Sequence, residues 1–163
     1  VLVPGLLLPV TNGARKCFPM LYLNNERLVV QGELLKKDAV MPSTNAQKMN
    51  NNTKKNQPPQ QPSSIGEMAM VLVGATCVGN IKLHFDHRFE TNLANPPEFA
   101  MNRQYKNENG DTPPPQFKRG DDVGYFKWGS TVVLVVDCPR NGRVVPSDGD
   151  EIKMGAPLVA AGV

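Results

Sequence analysis

The sequence predicts a mainly β chain, a single domain of barrel-sandwich type carrying a disordered insertion, and three observations predict it. Fifteen prolines and fourteen glycines are scattered over 163 residues, which leaves no long uninterrupted helical pattern. Apolar, β-branched runs of strand length recur between turn signals. The length is that of one ordinary domain, enough to bury a substantial core.

The opening "VLVPGLLLPV" is apolar, but Pro4, Gly5 and Pro9 interrupt it, and it is far too short to span a bilayer. "ERLVVQGELL" (26–35) and "GEMAMVLVGATCVGNIKLHF" (66–85) both have strand character. Between them, residues 42–64 are mostly Asn, Gln, Pro and Ser with almost nothing to bury, so they read as a disordered insertion in a β-connection. Lengthening a surface loop costs only about 0.6 kcal/mol per doubling, so function should survive its deletion. Residues 95–117 contain five prolines and read as a surface excursion. "RGDDVGYF" and "DGDEIKMGAPL" then place glycine in charged turns ahead of short strands. "TVVLVV" (131–136) is apolar on both faces, which predicts a strand covered on both sides.

Composition limits the function classes. A net charge of +3 with no basic block interleaved with aromatics argues against a nucleic-acid partner, while weak attraction to anionic headgroups is permitted. Cys17, Cys77 and Cys138 are three at wide spacing without a Cys-x-x-Cys pair, which fits a reducing compartment. His84, Asp86 and His87 do not converge on one strand face, so no metal site is assigned and solvated strand-end residues are expected. There is neither a Gly-rich phosphate loop nor a Gly-x-Ser-x-Gly elbow. Gly74 and Gly79 interrupt an apolar run, which marks either a bulge or the close approach of another chain segment or ligand. Gly129-Ser130, between "YFKW" and "TVVLVV", reads by itself as a turn.

Five segments taken in order resemble the pyruvoyl-dependent phosphatidylserine decarboxylases. "VPGLLLPVTN" is similar to the family's Pro-Gly segment that ends in Pro-Val-Asn, with Thr11 where asparagine is more usual. "LNNERLVV" resembles its Asn-Glu-Arg strand start, and "MAMVLVGATCVGNI" its Val-Gly-Ala-x-x-Val-Gly signature. "KRGDDVGYFKWGSTVVLVV" looks like the Lys-Gly-x-x-x-Gly-x-Phe run into the Leu-Gly-Ser-Thr self-cleavage motif, with Trp128 in place of the aliphatic residue. An indole there can pack on the core. "IKMGAPL" resembles the closing Met-Gly-Gln-Pro-Leu segment.

The resemblance implies a chemistry. Ser130 attacks the Gly129 carbonyl, the amide becomes an ester, and base-assisted elimination followed by hydrolysis with loss of ammonia leaves a pyruvoyl group derived from Ser130. The products are a chain of residues 1–129 and a chain of residues 130–163, which stay together as a heterodimer. The pyruvoyl ketone condenses with the amine of phosphatidylserine and accepts the electrons as carbon dioxide leaves, giving phosphatidylethanolamine. Val10, Gly74 and Ala75 are the implied lining of the substrate pocket, and the membrane surface, in mitochondria the inner membrane, is the implied location.

The family's aspartate and His-x-x-His-type segment precede the Pro-Gly segment, and here only Val1 and Leu2 precede Val3-Pro4-Gly5. The expectation is therefore a C-terminal catalytic portion of a longer enzyme, uncleaved and inactive as it stands; a short paralogue that does not mature is the alternative. The rival from another class is a non-enzymatic β-rich carrier or interaction module with Lys153, in "EIKMGAP", as its attachment point.

Overall fold

A computed structural model of the chain describes residues 1–35, 64–105, 114–129, 131–138 and 142–160. The predicted insertion lies outside these residues except for Ser64, which opens a strand, and Ser130 also lies outside them. The elements run β1 (Leu2–Val3), α1 (Asn12–Cys17), α2 (Leu21–Asn24), β2 (Arg27–Leu35), β3 (Ser64–Val73), β4 (Ile81–Leu83), β5 (Gly124–Phe126), β6 (Val132–Val136), β7 (Arg143–Val144) and β8 (Val159–Ala160). The chain is mainly β, as expected. Among the described residues its sheets are open: one of four strands in the order β1-β2-β3-β6 and two of two strands, β4-β5 and β7-β8, none closed into a barrel. Among the described residues, no helix is long and apolar enough to cross a membrane.

The chain divides into two compact units. The first comprises Val1–Gln31, Ala69–Val135 and Lys153–Ala156, and it holds the core of Leu2, Leu28, Leu72, Ile81, Leu83 and Phe89. Alternation produces this core. Leu28 and Val30 on β2, Met70 and Leu72 on β3, and Ile81 and Leu83 on β4 are each two apart, so each pair projects from one face of its strand. Each fully buried aliphatic side chain contributes roughly 1.5–3 kcal/mol. β1 pairs antiparallel with β2, with Leu2 opposite Leu28, and β4 with β5, with Lys82 opposite Tyr125.

In the second unit, which contains Gly32–Met68, Val136–Ile152 and Pro157–Val163, β7 and β8 form an antiparallel pair with Val144 opposite Val159. Asp137 holds Glu67 twice there, through its own N–H to the Glu67 carbonyl and its carboxylate to the Glu67 N–H, each 2.9 Å.

The predicted charged turns are present. In the first unit Asp121 accepts the Lys118 N–H at 2.7 Å around a left-handed Gly120, and in the second Asp150 accepts the Ser147 N–H at 2.7 Å around a left-handed Gly149.

Two strand expectations are corrected. "MVLVGATCVGNI" is not one strand: β3 stops at Val73, and a tight turn joins Ala75 and Val78, which exchange both backbone hydrogen bonds. β6 is not covered on both sides, because Val132, Val133, Leu134 and Val135 are all exposed. It is the terminal strand in the sheet order, paired only with β3, so an apolar sequence there does not bring a covering layer with it.

Candidate active site

The site is built where three chain segments of the first unit meet. The segment before α1 is tied to the start of β2 by backbone bonds from Leu6 N–H to the Asn24 carbonyl and from Glu26 N–H to the Leu6 carbonyl, both 2.8 Å. Asn25, fully buried, fastens that pair to a third segment. Its side-chain amide donates to the carbonyls of Leu8 and Gly74, each at 2.8 Å, and its carbonyl accepts the Leu8 N–H at 3.2 Å. A buried amide so satisfied specifies one arrangement, because each lost bond would strand a polar group. Thr76 donates to the Leu7 carbonyl, and Gly74 N–H to the Glu26 carbonyl at 2.8 Å.

The two strand glycines are explained by close approach rather than by a bulge. A Cβ on Gly74 would lie 3.0 Å from Leu7 Cδ2 and 3.1 Å from the Glu26 carbonyl oxygen. On Gly79 it would lie 2.8 Å from Asn92 Cβ and 3.1 Å from Leu7 Cδ1. Gly129 continues the pattern, since a Cβ there would meet Val78 Cγ2 at 2.7 Å, and its φ of 63° is in the left-handed region. The structure thus brings Gly129 against the same Gly74–Gly79 turn that Asn25 anchors. Ala75 is buried within that turn, Val10 is half-buried two residues beyond the anchored Leu8, and Ser130 follows Gly129 directly in sequence. Trp128 is exposed instead of packing on the core, because glycine, not the indole, is the residue that meets Val78.

Asn25, Glu26 and Asn92 are the residues that sequence reading left without a role. The buried Glu26 carboxylate accepts the Asn92 N–H at 2.8 Å and so holds Asn92 in a left-handed conformation beside Gly79. Burial raises the Glu26 pKa above its ordinary value, and the Asn92 bond opposes the rise only in part. "NNER" displays a polar pair ahead of an apolar strand, but nothing in that pattern says that the pair turns inward. Asn92 carries no local signal at all.

Asp86 also departs from expectation. It is buried rather than solvated, and it accepts from Arg88 Nε at 2.8 Å, Arg88 Nη2 at 3.1 Å and the Tyr105 hydroxyl, with Arg103 Nε 3.4 Å away. Burial alone would raise its pKa, but these donors outweigh it and hold the carboxyl well below the usual range. The Tyr105 pKa is pushed up to about 12 by burial and by the same bond. His84 is exposed and stacks on Tyr125 at 5.4 Å, and His87 is exposed. Among the described residues no three His, Cys, Asp or Glu side chains gather as a metal set. Lys153 is exposed and opens a turn closed by the Ala156 N–H on its carbonyl at 3.0 Å.

A family model described as phosphatidylserine decarboxylase matches residues 1–160. The chain is 29% identical over 159 residues to the mitochondrial phosphatidylserine decarboxylase proenzyme 1 of Saccharomyces cerevisiae, covering 95% of this chain and 26% of that protein. It is 35% identical over 96 residues to the proenzyme 1 of Schizosaccharomyces pombe, covering 57% of this chain and 22% of that protein. It is 28% identical over 163 residues to a Legionella pneumophila phosphatidylserine decarboxylase proenzyme, covering 96% and 43%. The chain therefore spans less than half the length of these relatives. No solved structure matches it. With the match running through the three segments that Asn25 joins and on through Gly129, the chain belongs to the phosphatidylserine decarboxylase family.

Proposed function

We propose that the chain supplies the self-processing portion of a pyruvoyl-dependent enzyme that converts phosphatidylserine to phosphatidylethanolamine and carbon dioxide. The observation that carries this reading is the geometry of Gly129: a left-handed residue with no room for a side chain, set against Val78, immediately before the serine of the family's motif. Attack on a backbone carbonyl by the next residue's hydroxyl needs an unusual backbone course, which glycine takes at least cost. The Ser130 oxygen forms a bond to the Gly129 carbonyl carbon as the peptide C–N bond breaks. Loss of the Cα proton then expels Gly129 as a carboxylate, and hydrolysis of the remaining enamine releases ammonia.

The residues present fit the resulting group, because the Gly74–Gly79 turn offers close backbone approach beside Gly129, the residue preceding it in sequence, and Asn25 keeps that turn in place. The pyruvoyl group would supply the ketone that takes up the substrate amine and the electron sink for decarboxylation. Gly74, Ala75 and Val10 would line the pocket. The cleaved chains would remain paired, since β6 follows the cut and lies beside β3. The mitochondrial names of several relatives support a mitochondrial site of action, for which we propose the inner membrane, and their names as decarboxylase proenzymes do not favour Lys153 as a carrier attachment point.

Intact-mass measurement on the protein expressed from its complete gene tests the proposal. Two chains are expected, the smaller starting at position 130 with a pyruvoyl group. Ser130→Ala should leave one chain and no decarboxylation, and an alanine variant that still released carbon dioxide from phosphatidylserine would overturn the assignment.

A further inference from the structure

The hairpin between Thr11 and Asn24 leaves the site and returns to it, since Leu6–Leu8 on one side and Asn24–Glu26 on the other are bonded together. Thr11 caps α1 by accepting the Ala14 N–H at 3.3 Å, and the Phe18 N–H closes the helix on the Ala14 carbonyl. α2 starts directly after Met20. Ala14 and Leu21 are buried and root the hairpin. Its other apolar side chains point outward: Phe18 is 44% exposed, Met20 68% and Leu23 56%, and the adjoining Leu6 is 59% exposed.

Two further observations say what this face meets. Residues 1–25 contain no Asp or Glu, whereas Arg15 and Lys16 occupy the last turn of α1, immediately before the apolar group. Met20 also holds a left-handed φ of 54° without being glycine. A large apolar side chain kept at a strained backbone position and left in water indicates a use for that side chain. Exposed apolar residues beside two cations, in a stretch without acidic residues, complement an anionic lipid surface, where the apolar groups enter the headgroup boundary and the cations pair with phosphates.

We infer that the α1–α2 hairpin is the face by which this chain docks on an anionic membrane, bringing the segments that Asn25 joins towards the lipid surface. The inference deepens the proposed function, because a site for a membrane lipid gains from being carried to the bilayer, but its test requires neither cleavage nor turnover.

The test is flotation of the 163-residue chain with vesicles of phosphatidylcholine alone or mixed with phosphatidylglycerol, an anionic lipid that is not the substrate. Strong partitioning is expected only with phosphatidylglycerol, weakening as salt rises. Phe18→Ser with Leu23→Ser should reduce it about tenfold or more, from the lost apolar insertion. Arg15→Gln and Lys16→Gln should each reduce it about fivefold on the anionic vesicles and leave phosphatidylcholine unchanged.

Met20→Gly relieves the left-handed strain, so it should keep the circular dichroism and melting of the parent while partitioning falls. Retention of full partitioning by the well-folded Met20→Gly and by the paired serine variants would overturn the inference. So would a sedimentation shift from dimer to monomer with vesicle binding intact, which would assign the face to a second copy. Binding without decarboxylation by the product of the complete gene would sink the proposed activity alone, and decarboxylation without binding would sink this inference alone.

Discussion

At Gly129 a single missing Cβ decides whether the chain can take the course the site requires. An alanine there would bear the cost of a left-handed φ, about 1–2 kcal/mol, and would place a methyl 2.7 Å from Val78 Cγ2. Gly129→Ala is expected to slow formation of the cleaved chain by about tenfold or more, since each 1.4 kcal/mol of barrier is a factor of ten. Val78→Ala in the same chain should recover the part due to crowding and not the part due to φ. A time course of intact mass reads both, and cleavage of Gly129→Ala at the parent rate would mean that the left-handed course is not required. Gly74 and Gly79 act differently, at ordinary φ, by letting Leu7, Glu26 and Asn92 come close. Their meaning was half legible: an interior glycine announces a bulge or an approach, and only the neighbours tell which.

At the scale of elements, the Asp86 cluster locks the bend after β4 to the segment that carries Arg103 and Tyr105. Asp86→Asn keeps the volume but removes the charge that three donors address. A loss of about 2 kcal/mol is expected at neutral pH, because the buried side chain at position 86 loses its charge-assisted bonds to Arg88 and Tyr105. The sign with pH follows from the depressed carboxyl: its stabilisation is complete above the ordinary aspartate range near 4 and fades as pH falls through the lower folded value. The gap between parent and Asp86→Asn in denaturant melts should therefore narrow from about pH 5 towards pH 2, and a constant gap would refute the charged arrangement.

The same elements show what the sequence could convey. Strand periodicity located β2, the apolar half of β3 and β6, because alternation and β-branching are local. The inward turn of Asp86 was only partly local, since Arg88 lies two residues on but the Tyr105 hydroxyl comes from 19 residues away. The exposure of β6 was not local, because a continuous apolar run reports side-chain types and not the layers that cover them. The site divided likewise: the Gly129-Ser130 motif was readable from family resemblance, whereas Asn25, Glu26 and Asn92 act through partners 17 to 66 residues away.

For the whole molecule, β2 ends at Leu35 and β3 begins at Ser64, and the two are neighbours in the sheet, so residues 36–63 enter the energetics as a loop to be closed. Their composition offers little apolar surface to offset closure entropy. Replacing residues 36–63 by about eight Gly and Ser residues shortens the loop between the same two strands and should stabilise the chain by about 1 kcal/mol. A larger gain is not expected, since the dependence on length is logarithmic. The three segments that Asn25 joins, and Gly129 itself, all lie outside this stretch, so cleavage of the shortened protein, expressed from its otherwise complete gene, should proceed at the parent rate. Denaturant melts measure the first expectation and intact mass the second. Abolished cleavage in a well-folded shortened protein would mean that residues 36–63 contribute to processing, and a loss of stability would mean that they make contacts in the folded state that their composition does not announce.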